Sequence, residues 1–370
     1  MNSASNITGG GAGSREAEVF DRIEAFRRRA PKLRETHITL AHGAGGKSSA
    51  ALLEAVFLPA FQAEGEVHEQ GDAAVLALAS GERLAFSTDA YVVKPMRFPG
   101  GSIGDLAVNG TVNDLAMAGA RPLALSVAFV IEEGLAMEVL RDVVADMAAA
   151  AQRAGIPIVT GDTKVVDRGA ADGLFITSAG VGLVPAGRNL GAALVEPGDV
   201  VIVSGPIAAH GIAVMLARGD LAIDADVQSD SAPLNGVMEA LLGAAPNTRW
   251  MRDATRGGVG TVCNELARDT DLTVVLEEAD LPVHPTVAGA CELLGIDPLY
   301  VANEGRFIAV VPAVEADAAL GAMRATRHGE GAVRIGEIRS EPPGIVVLVT
   351  PFGGTRIVDM LVGDPLPRIC

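Results

Sequence analysis

The sequence predicts a two-domain α+β fold, and three observations lead to that prediction. The chain has 370 residues, which at ordinary domain sizes is enough for two domains that each have a core. Apolar residues make up 49% of the chain and charged residues 20%, a composition typical of globular proteins. Strand-like and helical patterns alternate, and near Pro185 the alternation starts again.

These patterns divide the chain into four segments. Residues 1–35 open with the Gly- and Ser-rich run MNSASNITGGGAGS and are predicted to form a flexible N-terminal extension. Residues 36–185 are expected to form an N-terminal sheet domain, and residues 186–351 a C-terminal α/β domain. Residues 352–370 follow the last predicted strand and are expected to form a mobile tail that ends at Cys370.

The first domain begins with two apolar runs, AVLAL and RLAFS, which predict strands joined by the turn Ser80-Gly81-Glu82. RPLALSVAFVI, IPIVT and LFITSAGVGLV predict further strands. The segment AMEVLRDVVADMAAAAQRAG predicts a helix. Its core-facing side is expected to carry the apolar residues that recur at helical spacing, namely Met137, Leu140, Val144, Met147 and Ala151.

The second domain shows the same two kinds of pattern. Apolar, β-prone runs predict strands at VVIVSG, RFIAVVP, AVRIGEI and GIVVLVT. Amphipathic or apolar runs of greater length predict helices at HGIAVMLARG, GVGTVCNELAR and EADAALGAMRATR.

Charge and cysteine content exclude several classes of protein. The formal charge of −17 argues against a nucleic-acid partner, because phosphate neutralisation needs clustered Lys and Arg. Three cysteines, Cys263, Cys291 and Cys370, form neither an even set nor a metal-binding spacing, which favours a reducing compartment. The sequence shows no signal peptide and no apolar run of membrane-spanning length, so a cytoplasmic protein without a membrane partner is expected.

Aspartates at predicted strand ends are the main chemical signal. Five short motifs carry them: GDAAV, STDAY, VNDLA, TGDTK and MRDATRGG, with Asp72, Asp89, Asp114, Asp162 and Asp253. One such aspartate is most often a turn former or a helix cap. Several together repel one another unless a cation lies between them, and Mg²⁺ binds carboxylate oxygens together with phosphates. The pattern therefore permits a magnesium–nucleotide site built from separate segments.

Three other features allow both a structural and a functional interpretation. AHGAGGKSSAALLEAVF is not a P-loop, because Ala41 stands where that motif needs glycine; its glycines either approach an anion or cap the following helix. Lys164 is either a solvated surface lysine or a phosphate contact beside Asp162. Glu304, in ANEGRF, is either exposed or a proton acceptor.

The chain ends in GDPLPRIC, with a cysteine as the last residue. A terminal cysteine is either an accidental feature of a frayed end or a thiol on a tether that enters an active site. Cys263 and Cys291 lie in apolar helical segments and are expected to be core residues.

The chain resembles the HypE family of NiFe-hydrogenase maturation proteins from about residue 37 to the end. The resemblance lies in a series of motifs in the family's order: HGAGGK, GDAAV, STDAYVVKP, FPGGSIGDLAVNGTVNDLAMAGARP, IEEG, VTGDTKVV, MRDATRGGVGT, LPV, CELLGIDPLYVANEG and the terminal PRIC. HypE belongs to a superfamily with aminoimidazole ribonucleotide (AIR) synthetase (PurM), selenophosphate synthetase and thiamine-monophosphate kinase. These other members lack the cysteine tail, so the tail favours HypE.

The resemblance implies an activity and its partners. The carbamoyltransferase HypF loads a carbamoyl group on the terminal cysteine, and HypE then uses ATP to dehydrate the S-carboxamide to a thiocyanate. The cyano group passes to iron on the HypC–HypD complex and becomes a cyanide ligand of the hydrogenase. Two alternatives remain open: an ATP-gated carrier of the group without catalysis of its own, and a small-molecule kinase or synthetase of the same superfamily.

The resemblance also implies a PurM-like fold and a site. The N-terminal sheet is expected to form a barrel-like structure in a homodimer, and ATP is expected between the two domains. Asp72, Asp89, Asp114 and Asp253 match the positions that bind Mg²⁺ and nucleotide. Asn113, Asp162 and Thr163 are expected to contact the nucleotide as well, with Lys164. The catalytic residues of the dehydration are then, on this resemblance, Cys370, Lys164 and Glu304.

Overall fold

The computed structural model describes residues 33, 35–43, 45–61, 71–219, 225–361, 366 and 368–370. The predicted N-terminal extension lies almost wholly outside the described residues. Within the described residues, no helix is long and apolar enough to cross a membrane.

Strands and helices alternate as the sequence patterns predict. The strands are β1 (Ala74–Ala77), β2 (Arg83–Tyr91), β3 (Arg97–Phe98), β4 (Gly101–Ser102), β5 (Arg121–Glu132), β6 (Ile158–Val166), β7 (Leu174–Val184), β8 (Val200–Val203), β9 (Trp250–Asp253), β10 (Thr273–Glu277), β11 (Phe307–Val311), β12 (Val333–Arg339), β13 (Val346–Val349) and β14 (Thr355–Val358). The α-helices are α1 (Lys47–Leu52), α2 (Leu58–Phe61), α3 (Ile103–Met117), α4 (Met137–Ala154), α5 (Ala209–Ala217), α6 (Asn235–Ala244), α7 (Gly258–Thr270), α8 (Pro285–Leu294) and α9 (Ala316–Arg324).

The first sheet has five strands in the order β1-β2-β7-β5-β6. Its neighbours pair antiparallel, except β5 and β6, which are parallel. The side chains of β7 alternate between buried and more exposed positions, as expected for a sheet covered on one face. Helix α3 packs on that face, and α4 packs on α3. Among the described residues, no helix covers the opposite face, which we call the open face.

Helix α3 is buried almost all round, and small residues make this possible. It begins at Ser102, whose Oγ accepts hydrogen bonds from the backbone N–H groups of Gly104 and Asp105. A Cβ atom at Gly104 would collide with the carbonyl oxygen of Val143 on α4, and one at Gly110 with the hydroxyl of Tyr91 on β2. The run of small residues in FPGGSIGDLAVNGTVNDLAMAGA therefore allows close helix packing.

Helix α4 confirms the predicted helix but not the predicted face. Met147 and Ala151 are buried, whereas Met137 and Val144 are 61% and 45% exposed. The buried stripe instead includes Val143 and the alanines of the second half of the helix, Ala150 and Ala154. The close approach of α3 at Gly104 selects this side, because small residues there let the two backbones come together.

The second sheet has seven strands in the order β14-β13-β10-β12-β8-β11-β9. Strands β8 and β11 are buried along their whole length. Helix α7 covers one face, and α6 and α9 cover the other. The predicted tail boundary at 351 needs a correction, because β14 pairs antiparallel with β13 and carries the sheet to Val358.

The two halves share one continuous apolar core. Residues of α3 and α4 pack in the same cluster as Ala208 and Ile212, from the start of the second half. Leu366 and Ile369 belong to this cluster, with 2% and 5% of their surface exposed. The end of the chain is therefore part of the folded core.

Candidate active site

A cavity of about 360 Å³ lies between the first sheet and the second half of the chain. This volume falls in the range of small-molecule sites. Its walls come from the glycine-containing loop before α1, from β2 and α3, from the segment between β9 and α7, and from Glu304 and Cys370.

Six acidic residues line this cavity: Asp72, Asp89, Asp114, Asp253, Glu265 and Glu304. The four aspartates were predicted as metal and nucleotide ligands. The sequence interpretation that aspartates follow strand ends holds only for Asp253, the last residue of β9. Asp72 precedes β1, Asp89 lies within β2, and Asp114 lies within α3.

Burial and mutual repulsion make these carboxyls weak acids. Desolvation raises the pKa of Asp114 well above its usual value, and the charges of Asp253, Asp89 and Asp72 raise it further. Asp253 responds in the same way, mainly to burial and to Asp72. Ser87 stabilises the ionised form of Asp114 by donating to its Oδ2 at 2.5 Å. The cluster holds more negative charge than its neighbours balance, which favours a cation.

Asp72 has a protein cation beside it. Its Oδ1 lies 2.7 Å from Nε of Arg252. The Nη2 atom of the same arginine lies 3.4 Å from Oε2 of Glu265. Desolvation nevertheless outweighs this ion pair and raises the pKa of Asp72 to about 6. Asp72 also accepts a 3.4 Å hydrogen bond from the backbone N–H of Asp253, so the two segments are tied together at the cavity.

Glu304 is buried, with 3% of its surface exposed, which excludes the exposed alternative. Its backbone N–H donates to Asp230 at 2.8 Å, and its carbonyl accepts from Asn113 at 3.3 Å. Desolvation and the charge of Asp253 raise the pKa of Glu304 well above its usual value. Asn113 does not line the cavity and instead holds the Glu304 segment in place.

Cys370 reaches the cavity wall, as the tethered-thiol interpretation expects. Residues 368–370 lie within the predicted mobile tail, but here they pack against the chain. Cys370 accepts a 3.0 Å hydrogen bond from the backbone N–H of Val92. Nearby negative charge at Cys370, Asp89 and Glu304 raises the pKa of the Arg256 guanidinium. The other two cysteines are buried, as predicted.

The glycine-containing loop forms one wall. Gly43, Gly45 and Ser49 line the cavity, and Arg256 donates to the carbonyl of Gly43 at 3.3 Å. Gly45 has φ of +79°, and a Cβ there would lie 2.9 Å from Cβ of Arg256. Both the backbone conformation and the close approach require glycine here.

The N-terminal turn of α7 forms another wall. Gly257 and Gly258, which open this 13-residue helix, both have positive φ. Thr261 lines the cavity, is 2% exposed, and its hydroxyl has no hydrogen-bond partner in the structure. A helix N-terminus with an unpaired buried hydroxyl beside Arg256 is suited to an anion.

The sequence predicts Asp162, Thr163 and Lys164 at the nucleotide site. Within a single chain, however, these residues do not line the cavity. All three lie in the middle of the edge strand β6, and Lys164 donates to Asp162 at 2.6 Å. The pairing of β6 with β5 and of β5 with β7 places the two charged residues on the open face. Lys164 is therefore in a strand, not in the loop that the sequence suggested.

The carboxylate oxygens of the acidic residues in the cavity wall are suitable ligands for a magnesium ion. Among the described residues, no group of three His, Cys, Asp or Glu side chains is arranged to hold a metal ion. Mg²⁺ does not require such a cage, since it usually takes one or two carboxylates and fills its other positions with water and phosphate oxygens.

Sequence reasoning missed Arg252, Arg256 and Thr261. All three lie within the motif MRDATRGGVGT, of which only Asp253 was selected. The signal was present, because two arginines flank the aspartate and two glycines follow the second arginine. Tyr91, whose hydroxyl donates to Asp89 at 3.0 Å, was also missed although it lies in the motif STDAY.

Comparisons with known proteins agree with this architecture. Residues 70–184 match the family model of the AIR synthase related protein N-terminal domain, and residues 196–349 match that of the C-terminal domain. The chain thus has the two-domain organisation of AIR synthase related proteins, with a PurM-like fold.

Individual relatives narrow the class. The carbamoyl dehydratase HypE of Rhodobacter capsulatus is 54% identical over 339 residues, which are 91% of this chain and 99% of that protein. A crystal structure of a HypE–HypF complex superposes with a TM-score of 0.79 at 44% identity, covering 84% of this chain and 100% of that one. A crystal structure of the hydrogenase maturation protein HypE in complex with ATP superposes with a TM-score of 0.75 at 44% identity. The match covers 90% of this chain and 100% of that one. The chain belongs to the HypE family.

Proposed function

We propose that this chain uses ATP to dehydrate an S-carboxamide on its own Cys370 to a thiocyanate, the source of cyanide ligands for hydrogenase iron. The observation that carries the proposal is that Cys370 lines the same cavity as Glu304 and the aspartates around Asp114. A group carried on this sulfur would lie beside a carboxylate base and an acidic nucleotide site. The relatives named carbamoyl dehydratase and the HypE structure with ATP support the assignment.

The chemistry requires an activated leaving group. The carboxamide oxygen attacks the γ-phosphorus of ATP, and the bond from that phosphorus to its bridging oxygen breaks as ADP leaves. The C–O bond then breaks with loss of phosphate, and the nitrogen gives up both protons as the C≡N bond forms. The carboxamide loses the elements of one water, and one ATP becomes ADP and phosphate.

Asp72, Asp89, Asp114 and Asp253 would hold Mg²⁺ with the nucleotide. When bound, Mg²⁺ offsets the charge of the triphosphate during phosphoryl transfer. Ser87 and Tyr91 orient two of these carboxylates by donating to Asp114 and Asp89. The N-terminal turn of α7, Thr261 and Arg256 would hold phosphate oxygens, since they offer N–H and O–H donors and a positive charge.

Glu304 would accept one of the two nitrogen protons, and the departing phosphate would take the other. Its raised pKa makes it a stronger base than an exposed glutamate, and Arg256 favours its ionised form. Asn113 and Asp230 position it through its backbone, so the carboxylate keeps its place when the tail moves.

A homodimer would bring Lys164 to the cavity. The open face of the first sheet carries partly exposed apolar side chains, among them Leu76 and Phe86, at 48% and 43% exposure. Thr88 and Ala90 line the cavity, and their register places them on the same open face as Lys164. A second copy packed on this face would therefore lie beside the cavity, and its Asp162, Thr163 and Lys164 would complete the site.

Loading and delivery require other proteins. We assign carbamoylation of Cys370 to a HypF carbamoyltransferase, supported by the solved HypE–HypF complex, and acceptance of the cyano group to a HypC–HypD iron complex. Both steps need the tail to leave the cavity and return.

Intact-mass spectrometry tests the proposal. Incubation with the carbamoyltransferase and its substrates should add one carbamoyl group at Cys370, and magnesium and ATP should then remove one water. A carbamoyl group that stays hydrated under these conditions would indicate the carrier alternative. ATP turnover on a small substrate by a chain without residues 366–370 would indicate the kinase or synthetase alternative.

A further inference from the structure

The last residues are held in place by polar contacts from a buried histidine and a partly exposed arginine that the proposed reaction does not use. His210, on α5, has no exposed surface. Its Nε2 lies 2.7 Å from the carbonyl oxygen of Ile369, next to Cys370 in the chain. A carbonyl oxygen only accepts, so Nε2 must carry the proton and donate it.

The rest of the imidazole is arranged to keep that proton on Nε2. Nδ1 lies 2.8 Å from the hydroxyl of Ser229. The same hydroxyl oxygen accepts a 3.1 Å hydrogen bond from the backbone N–H of Ser231, which leaves the hydroxyl proton for Nδ1. Burial lowers the pKa of His210, which favours the neutral ring. The edge of Phe98 packs on the ring at a centroid distance of 5.4 Å.

Arg218, at the end of α5, makes the second contact. Its Nη2 donates to the carbonyl of Arg368 at 2.6 Å, and its Nε donates to the carbonyl of Lys94 at 2.8 Å. One guanidinium thus joins the tail to the segment after β2. The backbone N–H groups of Val92 and Lys94 add two further contacts by donating to Cys370 and Arg368 at 3.0 and 3.4 Å.

These hydrogen bonds hold the consecutive residues 368–370 of the tail. Apolar side chains of the tail anchor it further by packing in the core. Ile369 and Leu366 are buried in the core cluster, and Leu366 approaches α5 at Gly211, where a Cβ would lie 3.1 Å from its Cδ1. If the tail leaves, the N–H of His210 loses its partner in a largely apolar recess, which is unfavourable.

We propose that His210 and Arg218 are positioning residues that dock the tail and so set the place of the Cys370 sulfur in the cavity. The role of this docking in dehydration rests on the proposed function; the docking itself does not. Both residues hold the backbone of the tail, at the carbonyl groups of Ile369 and Arg368. They act by favouring the docked state in which dehydration takes place, over the released state in which partners reach the thiol.

The reaction of Cys370 with iodoacetamide measures docking without any activity. The buried Cys263 and Cys291, with their pKa raised to about 12 and about 11, report unfolding in the same experiment. We expect His210→Leu and Arg218→Leu to react at Cys370 about tenfold faster than the unmodified chain. His210→Gln places an amide N–H near the position of Nε2 and should restore a rate within about threefold of the unmodified chain.

Thr248→Val is the matched control, because Thr248 is also buried and its hydroxyl donates to a backbone carbonyl, of Ala245, away from the tail. It should leave the rate at Cys370 unchanged. Equal rates in His210→Leu and the unmodified chain would overturn the proposal, as would equal rates in His210→Gln and His210→Leu. A similar acceleration in Thr248→Val would also overturn it, since general loosening would then explain the effect.

Single-turnover dehydration of the carbamoylated variants tests the consequence. Thiocyanate should form about tenfold more slowly in His210→Leu, while carbamoylation by the transferase should not slow. If the unmodified carbamoylated chain forms no thiocyanate, the proposed function fails, and the alkylation rates still decide on docking. If it forms thiocyanate and His210→Leu matches it in both assays, docking by His210 is refuted.

Discussion

The two sheets of this protein differ in how they are covered. In the second sheet, helices lie on both faces, and β8 and β11 have no exposed residue. In the first sheet, α3 covers one face, with α4 packed on α3, and the edge strand β6 is exposed along almost its whole length. Helices therefore enclose the sheet of the second half on both faces, whereas the first half presents a surface that another chain can cover.

This difference separates the predicted site residues into two groups. Asp72, Asp89, Asp114, Asp253 and Glu304 lie where the two halves meet, so one chain brings them together. Asp162, Thr163 and Lys164 lie on the uncovered edge of the first sheet, so one chain leaves them apart. The proposed dimer would bring the two groups together.

The largest effect is expected from a glutamate placed in each sheet. Val310 on β11 is fully buried, and Val310→Glu puts an unpaired charge in a core that helices enclose. We expect this variant not to fold, because such burial costs at least several kcal/mol. Phe86→Glu on the open face should stay folded and become monomeric. Circular dichroism and light scattering separate the two results, and a folded dimer of Phe86→Glu would refute the dimer surface.

Mixed dimers test whether Lys164 acts on the cavity of the other copy. Cys370→Ser and Lys164→Ala should each reduce thiocyanate formation by about 100-fold or more, since one lacks the thiol and the other a phosphate-contacting charge. When the two are mixed, the Lys164→Ala chain keeps its thiol and gains Lys164 from its partner. Recovery to about one quarter of the unmodified rate is expected from random pairing.

The matched control for this mixture is Cys370→Ser with Glu304→Gln. Glu304 lies at the cavity of its own chain, so a Cys370→Ser partner cannot replace it. No recovery is expected there. Failure of the first mixture, with exchange of chains confirmed by mass, would show that Lys164 does not act in trans.

Asp114→Asn should stop dehydration and yet stabilise the free chain. The folded-state pKa of Asp114 is raised, so its contribution to stability is present at low pH and is lost as pH rises through that value. For Asp72, whose pKa is raised from 3.8 to about 6, this contribution to stability is lost as the pH rises through that range. Because asparagine carries no charge, the free energy of unfolding of this variant should exceed that of the unmodified chain by on the order of 1–2 kcal/mol at pH 8. The increase should be smaller at pH 5.

Thermal melts at the two pH values measure this gain. Magnesium with ATP should raise the melting temperature of the unmodified chain more at pH 8 than at pH 5, because the ionised carboxylates attract the cation. Asp114→Asn should lose most of that increase. Thr248→Val provides the comparison for a buried substitution outside the cluster. A lower stability of Asp114→Asn at pH 8 would contradict the repulsion argument.

The same contrast explains what the sequence could predict. Apolar runs located both sheets, and the motifs around the aspartates identified most of the cavity wall, because residues on rigid elements keep their neighbours. The prediction of which side of α4 faces the core was wrong at Val144, because the contact of α4 with Gly104 depends on how the two helices pack. Lys164 was placed with its motif neighbour Asp162, but its position relative to the cavity depends on which edge of the sheet β6 occupies. His210 gave no signal, because its partner Ile369 is far along the chain.

The smallest effect is expected where the tail contacts the first domain. Arg368 lies 2.7 Å from Asp172, which also pairs with Lys94 at 3.1 Å, and these side chains are partly exposed. Both cations lower the pKa of Asp172. Exposed ion pairs contribute less than about 1 kcal/mol, so Asp172→Asn should raise the alkylation rate of Cys370 only about twofold.

The size and the salt dependence of this effect identify its origin. The twofold increase should disappear at about 1 M salt, where screening removes the ion pair from the unmodified chain as well. The control is Asp146→Asn, which removes a similar exposed pair with Arg97 at 2.6 Å, away from the tail, and should change nothing. The tail would then be held weakly by exposed charges on the first domain and strongly by the buried donor of His210 on the second half. An effect of Asp172→Asn equal to that of His210→Leu would reverse this ranking and place the control of docking on the first domain.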